Sequence, residues 1–195
     1  MINFLYIFVP KAQYRIRFGN DNQTILLPLR SPFTIFVGKM ERVGNPMNFV
    51  SIKENKKRYL ELLLLADEQE SMVDRYLERG EMYAMEEDGE TVAVAVVTEE
   101  LPGVYELKNI AVSPSWQKKG YGKRMLDFIE GRYRRAGGRS LLVGTGDSPQ
   151  TVGFYEHCGF SYSHRVAGFF TQNYYHPIVE DGKLLVDMLY FRKEL

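Results

Sequence analysis

One stretch constrains this chain more than any other: Ile110-Ala-Val-Ser-Pro-Ser-Trp-Gln-Lys-Lys-Gly-Tyr-Gly-Lys-Arg124. An apolar strand ends, Ser113-Pro114 turns the chain, and a helix begins at glycines. Strand, tight turn and helix in that order point to an α/β domain. The start of such a helix exposes unpaired backbone N–H groups and the positive end of its dipole, which suits a diphosphate. Gly120 and Gly122 remove side chains where backbone must come close to phosphate oxygens, and Lys118, Lys119, Lys123 and Arg124 add positive charge. A tight turn with a solvated basic face explains the same residues. Taken alone, the stretch leaves both readings open.

The text around it falls into two parts. Residues 1–46 carry strand-like pieces at Phe4–Val9, Tyr14–Phe18, Thr24–Leu29 and Phe33–Val37, broken by Pro10, Gly19-Asn20, Pro28, Pro32 and Gly44-Asn45-Pro46. They are expected to be an N-terminal extension of unknown role, and residues 47–195 a single domain. That domain opens with an alternating strand at Asn48–Lys53. Helical windows follow at Lys53–Glu68 and Ser71–Arg79, the second ended by Gly80. Glu81–Glu87 and Thr91–Thr98 flank Asp88-Gly89, a favoured hairpin turn. Strand Val104–Val112, amphipathic helix Gly120–Gly137, strand Ser140–Gly144, helix Pro149–His157 and a strand-like run Lys183–Lys193 complete the order. Such an order predicts a sheet of mixed direction flanked by helices.

Composition narrows the function classes. Of 195 residues, lysine plus arginine equals aspartate plus glutamate at 25 each. That balance argues against a general nucleic-acid binder, which usually carries a basic excess. Cys158 is the one cysteine, so no intrachain disulfide forms, and a reducing cytoplasm is the expected location. Met1–Pro10 is apolar but far shorter than the roughly 20 residues of a spanning helix, so no membrane association is expected. His157, His164 and His176 lack metal-ligand spacing with acids or Cys158, so no metal is expected.

Gln117-Lys118-Lys119-Gly120-Tyr121-Gly122 resembles the pyrophosphate-binding signature of the GNAT superfamily, [Gln/Arg]-x-x-Gly-x-[Gly/Ala]. Downstream, Ser148-Pro-Gln-Thr-Val-Gly-Phe-Tyr-Glu-His-Cys-Gly-Phe160 is similar to the family's Asn-x(6)-Tyr-Glu-Lys-x-Gly-Phe ending. Two linked motifs in the right strand and helix order make the resemblance specific over about residues 47–195, and the glycine pattern is not the Rossmann one. It implies a mixed, mostly antiparallel central sheet flanked by helices. It also implies an enzyme using acetyl-coenzyme A as co-substrate to acetylate a primary amine of a small molecule or peptide. The family's coenzyme contacts fall here on the backbone of Ile110, Ala111 and Val112, beside the pantetheine arm, and on Gln117, Lys118, Lys119, Gly120, Tyr121, Gly122 and Lys123. Ser148 stands where the family often has asparagine; its hydroxyl can cap the following helix and still bond the ligand.

The same resemblance gives Tyr155 the role of the acid that protonates the departing thiolate, a sensible exchange because thiol and phenol pKa values lie within about two units. A packed aromatic beside Phe154 and Phe160 is the alternative. Glu106 falls where some members place the base that takes the amine proton. Strand alternation groups it with Lys108 and Ile110, although an exposed Glu106–Lys108 surface fits as well.

The resemblance also implies that two segments wall the acceptor site. The loop at residues 66–74 carries Asp67, Glu68, Glu70 and Asp74, read here first as helix N-terminal acids. Residues 168–182 supply Asn173, Tyr174, Tyr175 and His176 as pocket candidates, since acids with aromatics suit a cationic amine. A homodimer and a monomer both stay open. The competing class is a non-catalytic acyl-coenzyme A sensor or partner-binding module of the same shape. A nucleic-acid module built on Lys118–Arg139 lacks an aromatic stacking platform.

Overall fold

The computed structural model describes residues 14–16, 40–42, 47–180 and 182–195. The chain divides into two units, Met1–Met47 and Asn48–Leu195. In the first, β1 (Tyr14–Ile16) pairs antiparallel with β2 (Met40–Arg42). The strand pieces expected at Phe4–Val9, Thr24–Leu29 and Phe33–Val37, and the last two residues of Tyr14–Phe18, lie outside the described residues.

The second unit runs β3 (Asn48–Ile52), α1 (Leu60–Leu63), α2 (Glu70–Leu77), β4 (Glu81–Glu87), β5 (Glu90–Leu101) and β6 (Val104–Val112). It continues with α3 (Tyr121–Arg135), β7 (Ser140–Gly146), α4 (Pro149–His157), β8 (Ser161–Val166) and α5 (Phe169–Asn173). The small hairpin β9 (Val179–Glu180) and β10 (Lys183–Leu184) precedes β11 (Met188–Glu194). Seven strands form one sheet in the order β3-β4-β5-β6-β7-β11-β8. Every neighbouring pair in it is antiparallel except β6 with β7. This is the sheet of mixed direction that the element order predicts, and the mostly antiparallel one that the resemblance implies.

Local chemistry explains the frame. Val92-Ala-Val-Ala-Val-Val97 of β5 is buried throughout, so the strand is covered on both faces and reads as continuous apolar text rather than alternation. Asp88 and Gly89 both take positive φ, 52° and 83°, the twist a two-residue hairpin needs. Leu63 of α1 and Val73 and Leu77 of α2 pack with Val94, Val96 and Ala111 of the sheet. The α3 helix buries Met125, Leu126, Ile129 and Tyr133 along one stripe.

Two expectations change, and one strand is added. The helix read over Lys53–Glu68 is a 3₁₀ turn at Lys56–Tyr59 followed by α1 alone. Asn55 enters it in the left-handed region, and buried Lys56 donates from Nζ to the carbonyls of Leu77, Glu78 and Gly80 at 2.8, 2.9 and 2.8 Å. That side chain closes the C-terminal end of α2, where orphan carbonyls and the dipole favour a cation. The run Lys183–Lys193 splits because Leu185 turns inward onto Phe170 and Ile178. The β8 strand, exposed along its whole length, has no apolar pattern to announce it.

One feature of the register positions the site. The parallel pairing of β6 with β7 covers only Val104–Leu107 against Ser140–Val143. Past those residues β6 continues to Val112 and β7 to Gly146 without pairing each other, so the sheet opens into a wedge.

Candidate active site

On one side of the wedge lies a cavity of about 580 Å³. Its wall on β6 is Ile110, Ala111 and Val112, whose outer edge has no strand partner past Leu107. Gln117, Lys118 and Gly120 form the turn, and Tyr121, Gly122 and Lys123 the first turn of α3. Gln117 donates from Nε2 to the Val112 carbonyl at 3.0 Å, which folds the turn back on the strand. Gly120 sits at φ 84° as the N-cap of α3 and offers no side chain to the helix start, so backbone N–H groups remain for a ligand. Lys123 pairs with Asp127 at 2.8 Å, but both are half-exposed, a contact of small energy that an anion can displace.

Two expected contacts lie outside that lining. Lys119 donates to the Ser115 carbonyl at 2.9 Å and covers the Trp116 ring. Ser148 is fully buried as the N-cap of α4, where its hydroxyl accepts from the Thr151 N–H at 3.4 Å. Capping therefore occupies this serine.

A second, inner cavity of about 390 Å³ lies across the wedge and shares Leu65, Ala66, Ile110, Thr151 and Tyr155 with the first. Tyr155 thus stands where the two meet. It is 6% exposed and held edge-on between Phe154 and Phe160. Burial pushes its phenol well above the ordinary range, with the charges of Cys158 and Glu180 adding to the effect. Gly146 completes the inner wall, since a Cβ there would lie 2.4 Å from Leu185 Cδ1.

Polar groups gather in the inner cavity. Asp67 accepts hydrogen bonds from Tyr174 at 3.0 Å and Tyr76 at 3.2 Å. Burial raises its carboxyl above the usual range, and the two phenols oppose that rise. Glu180 accepts a hydrogen bond from the Thr151 hydroxyl, one helical turn before Tyr155. Glu68, Lys108 and Asn109 also line the space.

Glu106 is placed differently from its expected neighbours. It is 7% exposed and outside the lining of both cavities, paired with Lys108 Nζ at 2.7 Å and accepting from the Tyr190 hydroxyl at 3.1 Å. Lys108 bridges it to the inner cavity. Of the four acceptor candidates, Tyr174 lines that cavity. Asn173 instead accepts from Arg75 at 2.8 Å, Tyr175 is 87% exposed, and His176 faces Glu68 at 3.6 Å. The sequence does not single out Asn109, Thr151 or Glu180, and it does not separate Asp67 from the other acids of its loop. Only the polar Asn109 on a central strand carried a local signal. Among the described residues no three acidic, histidine or cysteine side chains gather as a metal site, and no helix is long and apolar enough to cross a membrane.

Comparison with known proteins adds an independent line. Residues 39–160 match the model of the acetyltransferase (GNAT) family. An uncharacterized N-acetyltransferase of Bacillus subtilis (strain 168), YvbK, is 38% identical over 139 residues, which cover 70% of this chain and 89% of that protein. A GNAT family acetyltransferase from Elizabethkingia anophelis, solved with acetyl-CoA bound, superposes with a TM-score of 0.73 at 29% identity over 76% of this chain and 98% of its own. A Bacillus subtilis acetyltransferase solved in complex with CoA gives 0.71 at 33% identity, over 76% and 99%.

Proposed function

The chain belongs to the acetyltransferase (GNAT) family, and from that premise we propose that it transfers an acetyl group from acetyl-coenzyme A directly to a primary amine of a small molecule or peptide. The observation that carries this reading is the position of Tyr155 between two cavities, one ending in a glycine-started helix and one lined by carboxylates. The residues fit the co-substrate. The start of α3 and Lys118 and Lys123 suit a pyrophosphate, and the unpartnered edge of Ile110–Val112 suits an extended amide chain, as in strand addition.

The bound co-substrate supplies an activated thioester. The chain's own groups do the rest. Buried Tyr155 keeps its proton through the neutral range and gives it to sulfur as the carbon–sulfur bond breaks. Glu106 takes the proton of the attacking nitrogen, acting through water along Lys108, which reaches the inner cavity. The packed aromatics around Tyr155 hold its ring in place and keep bulk water from the thioester.

Glu106→Gln tests the base. Acetylation should slow most near neutral pH and recover as pH rises, where the free amine is already neutral. A loss that is the same at every pH would give Glu106 a structural task and move the proton acceptor to Glu180, which already faces the junction through Thr151.

A further inference from the structure

Gln69 immediately precedes α2 and is 8% exposed, yet it lines neither cavity. Its polar groups are all engaged. Its carbonyl accepts from the Met72 and Val73 N–H groups at 2.9 and 3.2 Å, which starts α2, and its own N–H serves the Asp67 carboxylate. The side-chain amide donates from Nε2 to Ser71 Oγ at 2.7 Å and to the Asn173 carbonyl at 3.3 Å. Its Oε1 accepts from the Tyr175 N–H at 2.9 Å.

The bonds to residues 173 and 175 reach 104 and 106 positions along the chain and fall on either side of Tyr174. Tyr174 lines the inner cavity and donates to Asp67 at 3.0 Å. Arg75 of α2 holds the same stretch, donating to Asn173 Oδ1 at 2.8 Å. Val73 and Leu77 in turn fix α2 in the core with the sheet. Position is thus carried from the core through α2 and Gln69 to a wall residue of the cavity. Packing alone does not explain an amide here. An apolar side chain of that size would fill the space, whereas a buried amide is costly unless its groups are bonded.

We propose that Gln69 is a positioning residue for the acceptor amine: by holding the chain on both sides of Tyr174, it sets the wall against which the acceptor lies. The inference rests on the acetyl-transfer reading above. Neither Gln69 nor residues 173–175 line the outer cavity, so the coenzyme side is built independently of this grip. A wall that meets ground state and transition state alike contributes uniform binding, which shows in KM rather than in kcat.

Two measurements test the proposal. Amide exchange on the full wild-type chain reads the grip itself. Tyr175 is 87% exposed, so slow exchange of its N–H reports the bond to Gln69. Exchange at least about tenfold slower than that of a free amide is expected. Unprotected exchange there would overturn the proposal before any variant is made. The second measurement uses Gln69→Met, which keeps the volume and removes both bonds. The probes are butylamine, phenethylamine and triglycine, with acetyl-coenzyme A saturating. For any of them that the wild type acetylates, KM should rise about tenfold and kcat stay within about threefold. Coenzyme A affinity by calorimetry should stay within about twofold. An unchanged KM in the folded variant would make Gln69 a packing residue and overturn the proposal, with the acetyl-transfer reading intact. So would a fall in kcat at unchanged KM. A wild type that acetylates none of the three probes would instead sink the acetyl-transfer reading, and with it the task assigned to Gln69.

Discussion

Tyr155 and Asp67 show how differently two side chains of the candidate site register in a sequence. Tyr155 sits in a motif with fixed spacing to its neighbours, so its place beside Phe154 and Phe160 could be read directly. Asp67 could not be separated from three other loop acids. Its environment is made by Tyr76, nine positions on, and Tyr174, 107 positions on, and only the fold brings those hydroxyls together. The consequence is measurable. Burial raises the Asp67 carboxyl in the folded chain above its unfolded value, near 3.9. Its contribution to stability is therefore present below that value and is lost as pH rises through the folded pKa. At pH 7 Asp67, ionised in the unfolded chain and buried in the folded one, weighs against folding. Asp67→Asn should melt higher than the wild type at pH 7 in thermal scans, and the gap should close as pH falls toward about 4. A lower melting temperature at pH 7 would mean that the tyrosine bonds outweigh the cost of burial.

Elements were legible where their signal is local. The Asp88-Gly89 hairpin, β6, α3 and α4 follow from turn residues, apolar period and caps. Three features were not legible, and each depends on contacts far along the chain. The wedge arises from where β6 and β7 stop pairing, which no residue in either strand announces. The shortened α1 follows from Lys56 capping α2. The exposed β8 is defined by its pairing with β11. The start of α3 carries the coenzyme expectation. At Gly120 a Cβ would meet nothing within 4 Å, and the left-handed backbone costs another residue about 1–2 kcal/mol, so a substitution there leaves the fold intact. Gly120→Asp puts a carboxylate against the pyrophosphate position and should weaken acetyl-coenzyme A at least about a hundredfold by calorimetry, with an unchanged circular dichroism spectrum. Unchanged affinity in the folded variant would place the phosphates elsewhere.

At the scale of the whole molecule, the described residues that build the seven-stranded sheet and line both cavities belong to the second unit. We therefore expect a chain beginning at Met47 to fold and to keep its acetyltransferase rate within about twofold, with residues 1–46 a peripheral addition. Unfolding, or loss of coenzyme binding, would make that segment part of the core. The central claim is narrower: acetyl transfer to an amine with Tyr155 as the acid. It is tested by mixing the protein with acetyl-coenzyme A and a panel of primary amines, following free thiol and acetylated amine together, in the wild type and in Tyr155→Phe. Amine-dependent thiol release should be matched mole for mole by acetylated product. Tyr155→Phe should lower the rate by about 10²–10⁴ with coenzyme affinity nearly unchanged. Thiol release that ignores the amine, or a Tyr155→Phe protein as fast as the wild type, would contradict it.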